Sequence, residues 1–525
     1  GRNCFQFFTS DLNRRAFELV HMQSALRQAL ERNEFFLHYQ PRIDIRSGAV
    51  IGAEALLRWE HPTMGLVTPD RFIWVAEDTG LIEPIGEWAL RESCMQNARW
   101  QAQGLPPIAV AANVSALQFR NRGFVDTVQK ALKDSGRKLV ILDSRPWEEY
   151  HRMNIPGGID APGAELVYRT PDLAPDPDTL VVVNCAGRTR SIIGCQSLKN
   201  AGWKEVVALK DGTMGWELAG FECERGSARV APVPTQEGRA KARAAADAVA
   251  AKFQVKFAQA PQVKAWLEDG ARTTYLLDVR SLEEFEAGHL KGARHAPGGQ
   301  VVQAMDEFVA VRNSRVVLVD PERVRAVMTA SWLNQMGWDE VYVLEPRAGE
   351  WKTEAGPRVM PVPGFKEWKS VRAQELAPDE ATVVDLSTSL RYRGWHLPGA
   401  WWAVRSRLAE ARGQIGEVPE VVLTSEDGVL AHLAAPEAAA LWPSVRVLEG
   451  GNKAWRAAKL ATESGMAKPT TTLDDVWYKP YDHEHEADFE KHARAYLNWE
   501  VALVEQIKRD PAVRFRTYGD GDPWE

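Results

Sequence analysis

The sequence predicts an α/β protein: three tandem domains with mainly parallel central sheets, preceded by a partial (β/α) barrel fragment. Three observations lead there. An apolar strand ending in an acidic residue occurs three times, as VILDSR from Val140, LLDVR from Leu276 and VVDLS from Val383. Each is followed by a Pro/Gly turn (IPGG, GHLKGA, WHLPGA) and a second apolar strand (VVVNC, VVLVD, VVLTS) that runs straight into a helical stretch. Matched spacing is the third observation, because Asp143 to Cys185, Asp278 to Asp320 and Asp385 to Ser425 span 42, 42 and 40 positions. Self-similarity in this order marks a repeated strand–helix–strand unit, and uninterrupted Val/Leu runs suit strands covered on both faces.

The first 135 residues have a different character. They hold the strand FFLHYQPRID, the strand-to-loop VIGAEALLRWEHP, helices around 72–81 and 85–103, and the strand PIAVAANVS. Such alternation looks like the opening of a β/α barrel, with only two or three of its units. Between the first two repeats, SARVAPVPTQEGRAKARAAADAVAAKF reads as a Pro-rich linker followed by an Ala-rich helix. After the third repeat, HEADFEKHARAYLNWEVALVEQI places Ala493, Leu497, Val501 and Val504 at helical spacing, which predicts one amphipathic helix. Trp216, Trp351 and Trp455 each close a repeat and are read as packing residues.

Composition bounds the function. The chain has 525 residues, 45% hydrophobic and 26% charged, which excludes a disordered, collagen-like or disulfide-scaffold protein. A net charge of −7 with no strongly basic segment argues against nucleic acid as partner. No apolar run approaches a membrane span, and the amino terminus lacks the apolar core of a signal peptide. Five scattered cysteines (Cys4, Cys94, Cys185, Cys195, Cys223) read as free thiols in a reducing, cytoplasmic compartment. The first residue is not an initiator Met, which fits an internal fragment.

The sharpest chemical signal is NCAGRTRS, from Asn184 to Ser191. A strand ends at Cys185, a short loop holds Ala186, Gly187, Arg188, Thr189 and Arg190, and a helix begins at once. Backbone N–H groups of such a loop point inward and form an anion nest, with the helix dipole behind it. A thiol at its base is expected to have a depressed pKa, with Arg188 and Arg190 strengthening the field. That arrangement suits a nucleophilic thiolate attacking an anionic sulfur or phosphorus centre.

The three repeats resemble rhodanese domains, and CAGRTRS looks like the active-site loop of a catalytic one. The resemblance covers roughly Gly136 to Ala467. It implies that Cys185 takes a sulfane sulfur from thiosulfate or a related donor, becomes a persulfide, and passes the sulfur to cyanide or a thiol, including a protein thiol. Ala186, Gly187, Arg188, Thr189, Arg190 and Ser191 would bind the donor. Arg190 matches the arginine that closes the loop, while Asp143 and Arg145 match a framework charge pair. Phosphatases of this fold carry a loop one residue longer, so the short loop favours sulfur over phosphate. Asp320 and Ser425 stand where Cys185 stands, and the second and third repeats are therefore expected to be inactive. The expected divisions are 136–226 (catalytic), 227–254 (linker and helix), 255–363, 364–467 and a carboxyl-terminal extension, 468–525.

Residues 1–135 resemble the EAL-type cyclic di-GMP phosphodiesterases through YQPRID, GAEALLRWEHP and NVS, and GRNCFQFF resembles the tail of a preceding GGDEF domain. The resemblance would make Glu54 and Asn113 metal ligands and place Gln40, Leu56 and Arg58 along the dinucleotide. It stops near Ser135, before the later acidic ligands and the catalytic lysine. Two ligands cannot hold a metal pair, so these five residues are expected to be vestigial, with no metal and no cofactor in the chain. A family fragment that ends mid-domain points to a rearrangement or an artefact of joining. The stripe Phe124, Val125, Val128, Ala131 and Leu132 predicts a helix that substitutes for the opening helix of the first rhodanese-like unit. Asp482, His483, Glu484, His485, Glu486 and His492 read as a solvated charged run. The leading functional reading is a sulfurtransferase. The alternatives are cyclic di-GMP binding or a degenerate phosphodiesterase through the amino-terminal fragment, and a persulfide carrier or scaffold for a partner protein.

Overall fold

The computed structural model describes residues 10–518 apart from 46, 107, 116, 119–123, 137, 346–353, 358–361, 379, 484–485 and 512. GRNCFQFF, Trp351, Glu484 and His485 lie outside the described residues, as do the side chains of Phe124, Val125 and Glu486. Two compact units are present: residues 1–357 with 497–525, and residues 358–496.

The first unit opens with α1 (Ser10–Glu31), β1 (Phe35–Ile43), β2 (Val50–His61), β3 (Gly65–Val67), α2 (Pro69–Asp78), α3 (Ile82–Ala102) and β4 (Ala109–Ala112). β1 runs antiparallel to β2, whose other side pairs with β3 at one end and in parallel with β4 at the other. Phe35, Trp59, Phe72 and Ile85 form a small core under this four-stranded sheet. At the far end of the β1–β2 hairpin Ile43, Val50 and Ile51 are exposed. The sheet stays open where a full barrel would continue.

Helix α4 (Phe124–Asp134) follows and leads into the first repeat. It packs mainly against α3, with a smaller contact on the next strand, and Arg91 pairs with Asp134 at 3.2 Å. The expected helix forms, but it belongs to the barrel fragment as much as to the repeat.

The first repeat comprises β5 (Leu139–Asp143), α5 (Trp147–Arg152), β6 (Ile159–Asp160), α6 (Glu165–Leu173), β7 (Leu180–Asn184), α7 (Thr189–Asn200), β8 (Val206–Ala208) and α8 (Gly212–Leu218). Its sheet is parallel, in the order β6-β5-β7-β8. Helix α9 (Gln236–Lys252) then leads to the second repeat: β9 (Lys256–Ala258), α10 (Ala260–Glu268), β10 (Thr274–Asp278), β11 (Arg294–His295), β12 (Arg315–Val319), α11 (Val324–Gln335) and β13 (Val341–Leu344). Its sheet, β11-β10-β12-β13-β9, is parallel and has one strand more. The additional β9 lies beside β13, at the edge that corresponds to β8 in the first repeat.

The helix that follows the Pro-rich segment is more than a linker. Ala242, Ala246 and Val249 of α9 are fully or almost fully buried, and α9 packs on both α6 and α11. One continuous core therefore runs from Leu142 and Val183 in the first repeat to Val316 and Leu333 in the second. Close approach of the two repeats needs Gly298, where a Cβ would lie 2.2 Å from Thr329 Oγ1 and 2.9 Å from Ala164 Cβ.

The second unit holds the third repeat: β14 (Ser370–Val371), β15 (Thr382–Asp385), β16 (Trp401–Trp402), α12 (Leu408–Ile415), β17 (Val421–Thr424), α13 (Val429–Ala439), β18 (Val445–Leu448) and α14 (Gly451–Ala457). Its parallel sheet, β14-β18-β17-β15-β16, carries an apolar core on each face. Helix α15 (Glu486–Arg509) closes the chain. Ala493 is buried as expected, but Val501 and Val504 are 53% and 45% exposed. The expected apolar stripe ends there, since the helix meets the first repeat through a polar contact instead. No helix among the described residues is long and apolar enough to cross a membrane.

Candidate active site

β7 delivers Cys185 to the carboxyl end of the parallel sheet, where crevices for ligands form in open α/β folds. Its thiol is 1% exposed and donates to Ser191 Oγ at 3.3 Å, and that hydroxyl donates to Arg188 O at 2.9 Å. The loop carbonyls turn the other way. Cys185 O accepts from the Thr213 N–H at 2.8 Å and Ala186 O from the Met214 N–H at 3.0 Å, both at the start of α8. Gly212 makes this possible: its φ is +57°, and a Cβ there would stand 2.2 Å from Cys185 O. With the carbonyls tied to α8, the N–H groups of Gly187 and Ser191 are left to lean toward the sulfur.

Helix α7 begins at Thr189, so Arg190 belongs to its first turn rather than to a free loop. Its guanidinium pairs with Glu149 of α5, Nη2 to Oε2 at 2.8 Å and Nη1 to Oε1 at 3.3 Å. Arg188 projects its half-exposed side chain toward Asp211, 4.0 Å away. The backbone N–H of Arg188 donates to Glu500 Oε2 at 3.0 Å. Thr189 donates to Glu500 Oε1 through its hydroxyl at 2.9 Å and its N–H at 3.4 Å.

These partners overturn the expected depression of the Cys185 pKa. Burial pushes the thiol above its ordinary value of 9.0, against the downward pull of the Ser191 hydroxyl, the Arg190 charge and the Ser191 and Gly187 N–H groups. Arg190 shares its charge with Glu149, which weakens the field that the sequence alone suggested.

Beneath the loop, Asp143 and Arg145 form the buried pair that the sequence suggested. Arg145 Nε and Nη2 donate to Asp143 Oδ1 and Oδ2 at 2.9 and 2.8 Å, and Nη2 also reaches Met153 O at 2.6 Å. Asn184 Nδ2 adds a 2.9 Å bond to Asp143, tying the pair to the strand that carries Cys185. A second acid, Asp160 of β6, sits beside them with its Oδ1 buried and without a hydrogen-bond partner. Burial and the Asp143 charge raise its pKa from 3.8 to about 7.

The second repeat repeats the framework pair, Arg280 donating to Asp278 at 2.8 and 2.6 Å. Asp320, in the nucleophile's place, holds Arg325 instead: Nη2 to Oδ1 is 3.0 Å, and both residues are fully buried. Arg325 also donates to Glu165 of the first repeat at 2.9 Å and to Glu284 at 3.1 Å, and lies over the Tyr168 ring at 4.5 Å. This position is thus a clasp between repeats. In the third repeat Ser387 replaces the framework arginine, and Asn452 Nδ2 donates to Asp385 at 2.8 Å in its stead. Ser425 Oγ accepts from the Ala431 N–H at 3.3 Å.

In the barrel fragment Glu54 and Asn113 are brought together, Asn113 Nδ2 donating to Glu54 Oε1 at 2.9 Å. Gln40 and Glu54 are register partners across β1 and β2, and Arg58 donates to the adjacent Leu57 O, with Leu56 half-buried between. The EAL resemblance implies metal ions here. A carboxylate already bonded to an amide is a poor start, and no group of three His, Cys, Asp or Glu able to hold an ion occurs among the described residues. This donor set does not fit a metal pair, and no hydrolytic chemistry follows from it. His483 and His492 of the charged run stack face to face at 3.6 Å.

Sequence reasoning missed Glu149, Gly212, Asn184 and Glu500. Gly212, Thr213 and Met214 lie in DGTMGW, from Asp211 to Trp216, where no local pattern tells that Thr213 and Met214 orient the loop. Glu500 left no signal, being 312 positions from Arg188.

Comparison with known proteins matches four stretches of the chain. The EAL domain description fits residues 23–141, and the rhodanese-like domain description fits 125–219, 259–354 and 371–458, together more than half of the chain. The two overlap over α4 and the start of β5. A crystal structure described as thiosulfate sulfurtransferase from Pseudomonas aeruginosa is 39% identical, covering 81% of this chain and 86% of that one with a TM-score of 0.69. The bifunctional diguanylate cyclase/cyclic di-GMP phosphodiesterase MucR of Pseudomonas aeruginosa is 51% identical over 132 residues, 25% of this chain and 19% of that protein. The oxygen sensor protein DosP of Escherichia coli is 40% identical over 132 residues, 25% of this chain and 16% of that protein. The chain spans less than a fifth of the length of these two relatives.

Proposed function

The chain belongs to the family of rhodanese-like domains, and on that premise we propose that it is a sulfurtransferase whose working site is the Cys185 loop. One observation carries the reading: a thiol seated under inward N–H donors between β7 and α7, where the other two repeats hold Asp320 and Ser425. The likeness to a thiosulfate sulfurtransferase at 39% identity supports the same chemistry.

In the proposed reaction the Cys185 thiolate attacks the outer sulfur of a sulfane donor. The donor's S–S bond breaks, its electron pair leaves with the departing group (sulfite, for thiosulfate), and Cys185 becomes a persulfide. A thiophilic acceptor, cyanide or a thiolate, then removes that sulfur and returns the thiolate. Gly187 and Ser191 N–H groups stabilise negative charge on the persulfide, as preorganised backbone donors do at other anionic intermediates. Asp143, Arg145 and Asn184 are positioning residues that hold the strand end. Incubation with thiosulfate should add ~32 Da to the intact chain as one persulfide. Cys185→Ser should abolish both the mass gain and thiocyanate formation; turnover that survives this substitution overturns the assignment.

A second reading, binding of cyclic di-GMP by the amino-terminal fragment without hydrolysis, draws on the 51% identity to MucR. Titration of the full chain with the dinucleotide tests it, and no heat at high micromolar ligand ends it.

A further inference from the structure

The catalytic loop presents two tiers of backbone donors. The inner tier, the N–H groups of Gly187 and Ser191, leans toward the Cys185 sulfur. The outer tier, the N–H groups of Arg188 and Thr189 with the Thr189 hydroxyl, already holds an anion. That anion is the Glu500 carboxylate of α15, at 3.0, 3.4 and 2.9 Å. Arg188, the helix N-cap residue, makes no side-chain cap of its own. Glu500 therefore does two things at once. It satisfies the orphan donors of the helix start, and it places a fixed negative charge at the rim of a site whose two arginines already face Asp211 and Glu149.

We propose that Glu500 is a specificity-determining residue for the sulfur donor. By filling the outer donors with the chain's own carboxylate it weakens the binding of small dianions of the thiosulfate type, which still react at high concentration. The site favours the persulfide of a small thiol, which carries its sulfane sulfur with less charge. This proposal rests on the sulfurtransferase reading. The step is balanced without another reactant: the Cys185 thiolate attacks the terminal sulfur of R–S–SH, the S–S bond breaks, and the electron pair leaves on R–S⁻. The transferred sulfur keeps its proton as Cys185–S–SH. A thiosulfate approaching the same thiol must bring two negative charges against a carboxylate that already occupies the hydrogen bonds its sulfonate oxygens need.

The test compares KM for thiosulfate and for cysteine persulfide in the wild-type chain and in Glu500→Gln. The expected result is a fall in thiosulfate KM on the order of tenfold, as for removal of a like charge at a site entrance, with cysteine persulfide KM within about twofold. Loss of a merely structural helix cap would shift both donors together. Titration of sulfite into Cys185→Ser and into Cys185→Ser/Glu500→Gln gives a readout independent of turnover, and the double variant should bind the dianion more tightly by the same factor. Equal changes for both donors, or unchanged sulfite binding, overturn the proposal and leave the sulfurtransferase reading intact. Failure of every form to take up sulfur from either donor overturns both.

Discussion

Replacing Asp160 with Asn should flatten the pH dependence of stability in the first unit. In the folded chain burial and the neighbouring Asp143 raise the Asp160 pKa from 3.8 to about 7. Below about pH 4 both the folded and the unfolded chain carry the proton, and nothing depends on pH. Between about 4 and 7 the folded chain keeps a proton that the unfolded chain has released, so each upward step in pH costs stability. Above about 7 the loss is complete. At 1.36 kcal/mol per pKa unit the full loss is about 4 kcal/mol, with roughly 2 kcal/mol of it falling between pH 5.5 and pH 8.5. Asn has nearly the shape of the neutral acid and cannot ionise. Guanidinium melts of wild type and Asp160→Asn at both pH values give the double difference directly. The variant should gain about 2 kcal/mol on wild type as the pH rises across that interval. Parallel slopes in the two proteins would refute the argument that the orphaned Oδ1 of Asp160 forces the proton to stay.

Two further predictions concern the ion pairs. Arg325→Ala leaves Asp320 buried without its cation and Glu165 with Arg169 alone, and should destabilise the first unit by about 3–5 kcal/mol, read from thermal melts. Arg325→Met combined with Asp320→Leu should recover most of that loss, because an apolar filling of a buried pair is close to neutral, while Glu165 keeps Arg169. Glu149→Gln releases Arg190 from its partner at 2.8 Å, so the Cys185 pKa should fall. The pH–rate profile of thiol alkylation should then shift to lower pH by about one unit, whereas an unmoved profile would mean that Arg190 does not act on the sulfur.

The parts legible in the sequence are the local ones. Strand periodicity, the Pro/Gly turns and the Asp143-to-Cys185 spacing fixed three parallel sheets, because each depends on residues close together in the chain. The Asp143–Arg145 pair was legible for the same reason, the two being two positions apart. What escaped were pairings set by packing across long separations. Arg325 meets Glu165 from 160 residues away, and this makes Asp320 part of a paired clasp between repeats. The thiol's pKa was misjudged in sign because the sequence displays two arginines and hides Glu149 and the 1% exposure that outweigh them. The Ala-rich helix was legible as a helix but its packing was not, because small residues carry little apolar signal, yet in α9 they are what lets two repeats approach.

The clasp also bears on what a cysteine could do in the second repeat. Asp320→Cys would not create a site. It would strip a fully buried guanidinium of its innermost carboxylate, and the sulfur would face a lodged cation rather than a cradle of backbone donors. The position works as a keystone. Arg325 is seated there by Asp320 and reaches Glu165 of the first repeat, so a change made for chemistry would be felt first as a loosening of the seam between the two repeats.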